Sequence, residues 1–226
     1  MHCLNQHLSE RFALYHGDSV ELIREIPDDS LGGGGHSPPF AGMYHYTNSR
    51  RDIGNSKDSR ELIRHYRYII RELLRATMPG RSQWVHLTQE VTFKKDGHES
   101  GIADFRGSVI REYQRAGWIF RGEIAVETNP QEKAIRTHDN GLLFVSLAKD
   151  AADMHMAMND YVLQFRKPGE NPVPIRAGRR SGDRSTENPT GWITDEDWID
   201  WANGTWRYAT ASFPRGIRRT NVLNAQ

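Results

Sequence analysis

The chain has one cysteine, Cys3, in 226 residues, so no internal disulfide can form and a secreted, disulfide-stapled scaffold is excluded. No run of eighteen apolar residues occurs, which argues against a membrane-spanning helix. Met1 to Glu10 lacks the apolar core of a secretion signal. An excess of one charge is missing as well: 30 Lys and Arg stand against 29 Asp and Glu, a net +1. That excludes a uniformly basic surface but leaves local patches free to meet nucleic acid. A soluble, cytoplasmic protein with no membrane partner is therefore expected. With 37% hydrophobic residues the chain is not wholly disordered. Its length fits one compact domain of about 100 to 200 residues with an elaboration.

What is present is an alternation of strand and helix patterns. Phe12 to Tyr15 reads as a short strand and Gly17-Asp18 as a turn, followed by a short helix carrying Val20, Leu22, Ile23 and Ile26 on one face. Leu62, Ile63, Tyr66, Ile69, Ile70, Leu73 and Leu74 follow the three-four spacing of a long amphipathic helix, with Asp58 and Glu61 as a capping box. Trp84 to Leu87 reads as the next strand. Phe105, Val109, Ile110 and Tyr113 mark a helix ending near Gly117, Trp118 to Val126 a strand, and Tyr161 to Phe165 another. This alternation predicts an α/β fold, a mostly parallel sheet flanked by helices, over residues 1–167. The glycine run Gly32 to Gly35 interrupts one expected strand. Each glycine weakens a strand by roughly 0.5 to 1 kcal/mol.

From about residue 168 to 226 the composition shifts to Pro, Gly, Arg, Asn and Trp without a sustained period, as in an appended loop-rich module. Residues 166–184 hold six basic and two acidic residues, 185–200 none and five, and 201–219 four and none, so charge alternates in blocks. Arg176, Arg179, Arg180 and Arg184, then Arg207, Arg215, Arg218 and Arg219, are interleaved with Trp201, Trp206, Tyr208 and Phe213. That mixture suits phosphate neutralisation with aromatic wedging, and equally a solvated loop whose aromatics pack on the sheet. Asp195, Glu196, Asp197 and Asp200 with Trp192, Trp198 and Trp201 read as a short amphipathic helix.

Ser37-Pro38-Pro39-Phe40, after an expected strand and before Gly42, resembles the catalytic motif of the amino-directed DNA methyltransferases, an Asp, Asn or Ser followed by Pro-Pro-aromatic, and the chemistry that the resemblance implies has a physical reason. An exocyclic amine on adenine or cytosine is a poor nucleophile because its lone pair is delocalised into the ring. A catalyst must draw it toward tetrahedral geometry with hydrogen-bond acceptors. The Ser37 hydroxyl and the Pro38 carbonyl can accept its two hydrogens, and two prolines of fixed φ hold that carbonyl still. Phe40 would stack on a base flipped from the duplex, offsetting part of an unpairing cost of a few kcal/mol. The bland alternative is a rigid surface turn with a core phenylalanine.

The resemblance extends beyond the tetrapeptide. Tyr15 to Ser19, Pro27 to Ser30, Tyr44 to Asn55, Arg71 to Arg75 and Phe165 to Gly169 are similar to the permuted, phage-associated branch of that family. The resemblance covers nearly the whole chain. It implies a Rossmann-like methyltransferase fold, S-adenosylmethionine as cofactor, double-stranded DNA as partner and a restriction-modification setting, with the module from 168 onward reading the target through its arginines. It also implies a cofactor contact or ordering role for Asp18, which an N-cap role for the following helix explains equally well. Ring-carbon methylation would need a thiolate in a Pro-Cys context, whereas Cys3 reads as part of an N-terminal tail without that context.

Two departures stand out. The glycine run replaces an apolar central strand. The Phe-x-Gly-x-Gly loop of the family's cofactor half is missing, so most of that pocket is expected to lie elsewhere, with a second polypeptide as one candidate source. The expectation is a catalytic half that does not methylate alone, or a non-catalytic DNA-binding remnant or subunit; a relative acting on RNA or a protein amide shares the same chemistry.

Overall fold

A computed structural model of the chain describes residues 3–39, 46–93, 101–137, 141–155 and 158–174. In chain order these form β1 (Cys3–Leu8), β2 (Ala13–Gly17), α1 (Ser19–Arg24), β3 (Gly34–His36), α2 (Ser59–Ala76), β4 (Ser82–Thr88), β5 (Glu90–Thr92), β6 (Gly101–Ala103), α3 (Phe105–Ala116), β7 (Ile119–Val126), α4 (Pro130–Thr137), α5 (Phe144–Lys149) and β8 (Asp160–Arg166). Chain contacts divide the protein into units Met1–Pro172 and Val173–Gln226. All of these elements belong to the first.

The main sheet has the order β3-β4-β8-β7. β3 pairs parallel with β4, and β8 pairs antiparallel with both β4 and β7. Thus β3, β4 and β7 run one way and β8 alone is reversed, which makes one ladder parallel and two antiparallel, a mixed sheet. The reason lies in the connection: β7 ends at Val126, α4 and α5 follow, and the chain re-enters opposite that same residue, with Val126 paired to Asp160. A strand that starts at the sheet's carboxyl end has to run back.

α2 begins as its sequence dictates. The Asp58 side chain accepts from the Glu61 backbone N–H at 2.8 Å, while Glu61 Oε2 accepts from the Lys57 N–H at 2.9 Å. Its apolar face buries Leu62, Tyr66, Ile70 and Leu73, and α3 adds Phe105, Val109 and Tyr113 to the same layer. These meet Val85, Leu87, Leu163 and Phe165 of the central strands, all fully buried. Tyr113 stacks on Phe165 with ring centroids 3.9 Å apart, and Trp118 Nε1 donates to the Ile70 carbonyl at 3.2 Å. Each such apolar side chain contributes about 1.5–3 kcal/mol when fully buried. α3 stops at Gly117, whose φ of 107° lies where glycine is favoured.

The glycine run still forms a strand, although a short one. Gly33 has φ 145°, and a Cβ on Gly34 would come within 2.7 Å of Gln83 Oε1. Gln83 is buried and donates to Thr77 Oγ1 at 2.9 Å, so it cannot easily yield. Two of the four glycines therefore answer a local requirement. Upstream, Leu31 exchanges backbone hydrogen bonds with the end of α2, its N–H to the Ala76 carbonyl at 2.8 Å and its carbonyl from the Met78 N–H at 2.9 Å.

The amino-terminal residues depart from the expected tail. Cys3 lies in β1, which forms a hairpin with β2, because Ser9 Oγ and its N–H close a tight turn onto Phe12. Leu4, Leu8, Phe12 and Leu14 of this hairpin are exposed. Among the described residues no helix is long and apolar enough to cross a membrane.

Candidate active site

Ser37 follows directly on β3, at the carboxyl end of the parallel strands, where α/β sheets form their ligand crevices. The Ser37 side chain is exposed, Pro38 is buried and Pro39 half-buried. Ser37 Oγ donates to the Pro38 carbonyl at 3.4 Å. The two acceptors are thus close enough for one NH2 group to meet both at about 2.9 Å. Pro39 is backed by the short 3-10 turn Ile53–Asn55: a Cβ on Gly54 would lie 3.4 Å from Pro39 Cβ. The Asp52 side chain caps that turn by accepting from the Gly54 N–H at 2.9 Å.

The residue before the motif is anchored from below. His36 Nε2 lies 2.5 Å from Tyr66 Oη and 3.3 Å from Tyr113 Oη, and the two hydroxyls are 3.0 Å apart. One helical residue from α2 and one from α3 thereby close a triangle on the end of β3. Burial lowers the His36 pKa to about 4, so the ring is neutral near pH 7. Burial likewise pushes the Tyr66 and Tyr113 phenols above their ordinary value, leaving both hydroxyls protonated. The helix pattern alone singles out Tyr66 and Tyr113 as apolar-face residues; nothing in it foretells that their hydroxyls meet His36.

Asp18 caps α1, its Oδ1 accepting from the Val20 N–H at 2.9 Å, and its other oxygen lies 3.0 Å from Arg51. The N-cap role is thus visible. Phe40 and the arginines 176, 179, 180, 184, 207, 215, 218 and 219, with the acidic stretch 195–200, lie outside the described residues.

A cavity of about 510 Å3 that sequence reasoning missed opens at the same end of the sheet, over the ends of β4 and β7, the start of β8 and α4. Asp160 forms its floor: Lys133 donates to one carboxylate oxygen, and His86 Nε2 lies 3.3 Å from the other. Burial pushes the Asp160 carboxyl up, but the hydrogen bond and charge of Lys133, helped by Thr88 and His86, outweigh it and hold the pKa below its ordinary value. Asn129 Oδ1 receives the Gln131 N–H at 2.9 Å at the start of α4. Glu127, Glu132 and Arg136 complete the rim. His86 reads from sequence as an ordinary strand residue, and only the fold brings it to Asp160.

No protein-family profile matches the chain, and no curated protein sequence does. Solved structures do. A candidate DNA modification methylase from Thermus thermophilus superposes with a TM-score of 0.51 at 16% identity, over 71% of this chain and 56% of that one. The same protein complexed with S-adenosyl-L-methionine gives 0.51 and 16%, over 71% and 55%. The PvuII cytosine-N4-specific DNA methyltransferase gives 0.46 at 18% identity, over 67% and 49%. The chain spans little more than half the length of the Thermus protein, and what the two share is a fold: the mixed α/β architecture of a methyltransferase, with a sheet flanked by helices.

Proposed function

We propose that this chain is the catalytic half of an S-adenosylmethionine-dependent methyltransferase that acts on the exocyclic amine of cytosine or adenine in double-stranded DNA, as in a phage or restriction-modification setting. The observation that carries this is the pair of acceptors, Ser37 Oγ and the Pro38 carbonyl, 3.4 Å apart at the carboxyl end of β3 in a methyltransferase fold. Ser37 and Pro38 orient the amine, Pro39 braces the loop against Gly54, and Phe40 stacks on the flipped base. Both acceptors draw on the amine hydrogens, which returns lone-pair density to nitrogen for in-line attack without a covalent enzyme intermediate. Bound S-adenosylmethionine supplies a sulfonium-activated methyl group. Toward it the described residues offer the half-buried Asp18 carboxylate, whose contacts with the Val20 N–H and Arg51 leave acceptor capacity for a hydroxyl or an ammonium group.

Residues 1–167 would form this half and 168–226 the target-recognition region, with Arg176, Arg179, Arg180, Arg207, Arg215, Arg218 and Arg219 on the phosphates. A second polypeptide is a candidate source of the remaining cofactor pocket. The engagement of Asp18 by Val20 and Arg51 favours one further reading, a non-catalytic DNA-binding subunit in which Asp18 is structural.

Calorimetric titration of the chain with S-adenosylmethionine and duplex DNA tests this: binding of both supports an enzyme whose cofactor pocket is assembled in this chain, binding of DNA alone a chain that needs a partner for its cofactor or a non-catalytic subunit, and binding of neither defeats both readings. In an active, complemented form, Ser37→Ala and Phe40→Ala should each slow methylation at least tenfold, about 1.4 kcal/mol. Unchanged rates would remove the roles assigned to them.

A further inference from the structure

The cavity over β4, β8 and α4 takes no part in the amine chemistry above, yet it opens at the same end of the sheet as Ser37. Asp160 begins β8, two strands from β3, which at 4.7–4.9 Å per strand is about 10 Å of lateral separation. That is roughly three base steps of B-form DNA at 3.4 Å each. The volume lies within the 300–1,000 Å3 of ordinary ligand pockets. Its floor is already built, since Asp160 is held by Lys133, His86 and Thr88.

The rim is different. Among the described residues, the side chains of Glu127, Glu132 and Arg136 make no ion pair or hydrogen bond. Glu132 and Arg136 stand four apart on α4, the spacing at which such residues usually pair. Open acceptors and an open planar donor therefore face one space. A phosphate fits poorly, because Glu127, Glu132 and Asp160 outnumber Lys133 and Arg136. A metal ion fits poorly for the converse reason, with both cations in the lining. A nucleobase edge presents donors and acceptors together, and its pairings are the ones offered here: guanidinium to guanine O6 and N7, carboxylate to the cytosine N4 amine.

We propose that this cavity reads a guanine or cytosine of the substrate DNA within about three steps of the target base, through Arg136 and Glu132. The inference rests on the DNA-methyltransferase function proposed above and adds a specificity element outside the arginine-rich 168–226 region.

The test is selection of binding sites from a randomised duplex pool by the full chain and by Arg136→Ala, Arg136→Lys and Glu132→Gln, with affinities measured on the enriched sequences across a salt series. Arg136→Lys keeps the charge and loses the planar fork. The expected result is a sequence preference in the wild type that drops about tenfold at one G·C position in each variant, Arg136→Lys included. Unchanged preference in all three overturns the inference while leaving DNA binding intact. Uniformly weaker binding with a shallower salt slope for Arg136→Ala, rescued by Arg136→Lys, makes Arg136 a phosphate contact and also overturns it. A wild-type chain that enriches no sequence overturns the inference together with the function on which it rests.

Discussion

β4 and β8 at the centre of the sheet and β1 and β2 at the amino terminus carry similar apolar content and meet different fates. Val85, Leu87, Leu163 and Phe165 are fully buried, whereas Leu4, Leu8 and Leu14 are 78%, 58% and 60% exposed. Both pairs form an antiparallel hydrogen-bonded ladder. What separates them is a second layer: α2 and α3 cover one face of the main sheet, and no described element covers the apolar side chains of the hairpin. Strand pairing alone leaves apolar surface in water; only a layer packed across the face turns it into stabilisation.

The sharpest way to break this contrast is truncation on each side of it. Phe165→Ala, which removes the ring stacked on Tyr113, should cost about 3–5 kcal/mol in denaturant unfolding. Leu14→Ala should stay within about 0.5 kcal/mol, as an exposed change does. Equal losses would mean that the hairpin face is covered in solution.

A second effect belongs to the buried side alone. With its pKa lowered to about 4 against 6.5 unfolded, His36 binds its proton more readily in the unfolded chain. Stability should therefore fall as pH drops from 6.5 to 4, by roughly 3 kcal/mol, and be insensitive to this group above 6.5. His36→Asn should flatten that part of the profile; a wild-type profile already flat there would put the imidazole in water. The smallest effect is local: Asp58→Ala should cost about 1 kcal/mol by removing the cap of α2, visible as reduced helicity and a lower unfolding midpoint.

Long-period patterns were legible in the sequence and short or polar ones were not. α2, α3, β4 and β8 stand where apolar spacing puts them, because burial against one layer imposes that spacing, and β7 stands where expected although its residues are exposed or half-buried. β1 reads as a polar tail since Asn5, Gln6 and His7 face water, and β5 and β6 have three residues each, too few to show a period. α4 starts at a proline and buries only Ala134 and Thr137, so its helical face carries little apolar signal. Ser37 and Pro38 were findable because their chemistry lies in adjacent residues. The His36–Tyr66–Tyr113 triangle and the Asp160 cavity join residues 27 to 77 positions apart, which no local pattern encodes.

The reversed strand also has a temporal consequence. β8 is the last of the described strands to leave the ribosome and must slot between two strands made earlier. Thr88 and Asn159, bonded at the end of the β4–β8 ladder, are 71 residues apart. Contacts of such long sequence separation carry a large loop-closure entropy and tend to form late. Until that step β7 has no strand partner in the sheet and β4, paired with β3, keeps one open edge, both exposed to pairing with other chains. The cavity floor, which needs Asp160 in place, comes into being with the final closure of the sheet, so ligand binding there reports folding that has gone to completion.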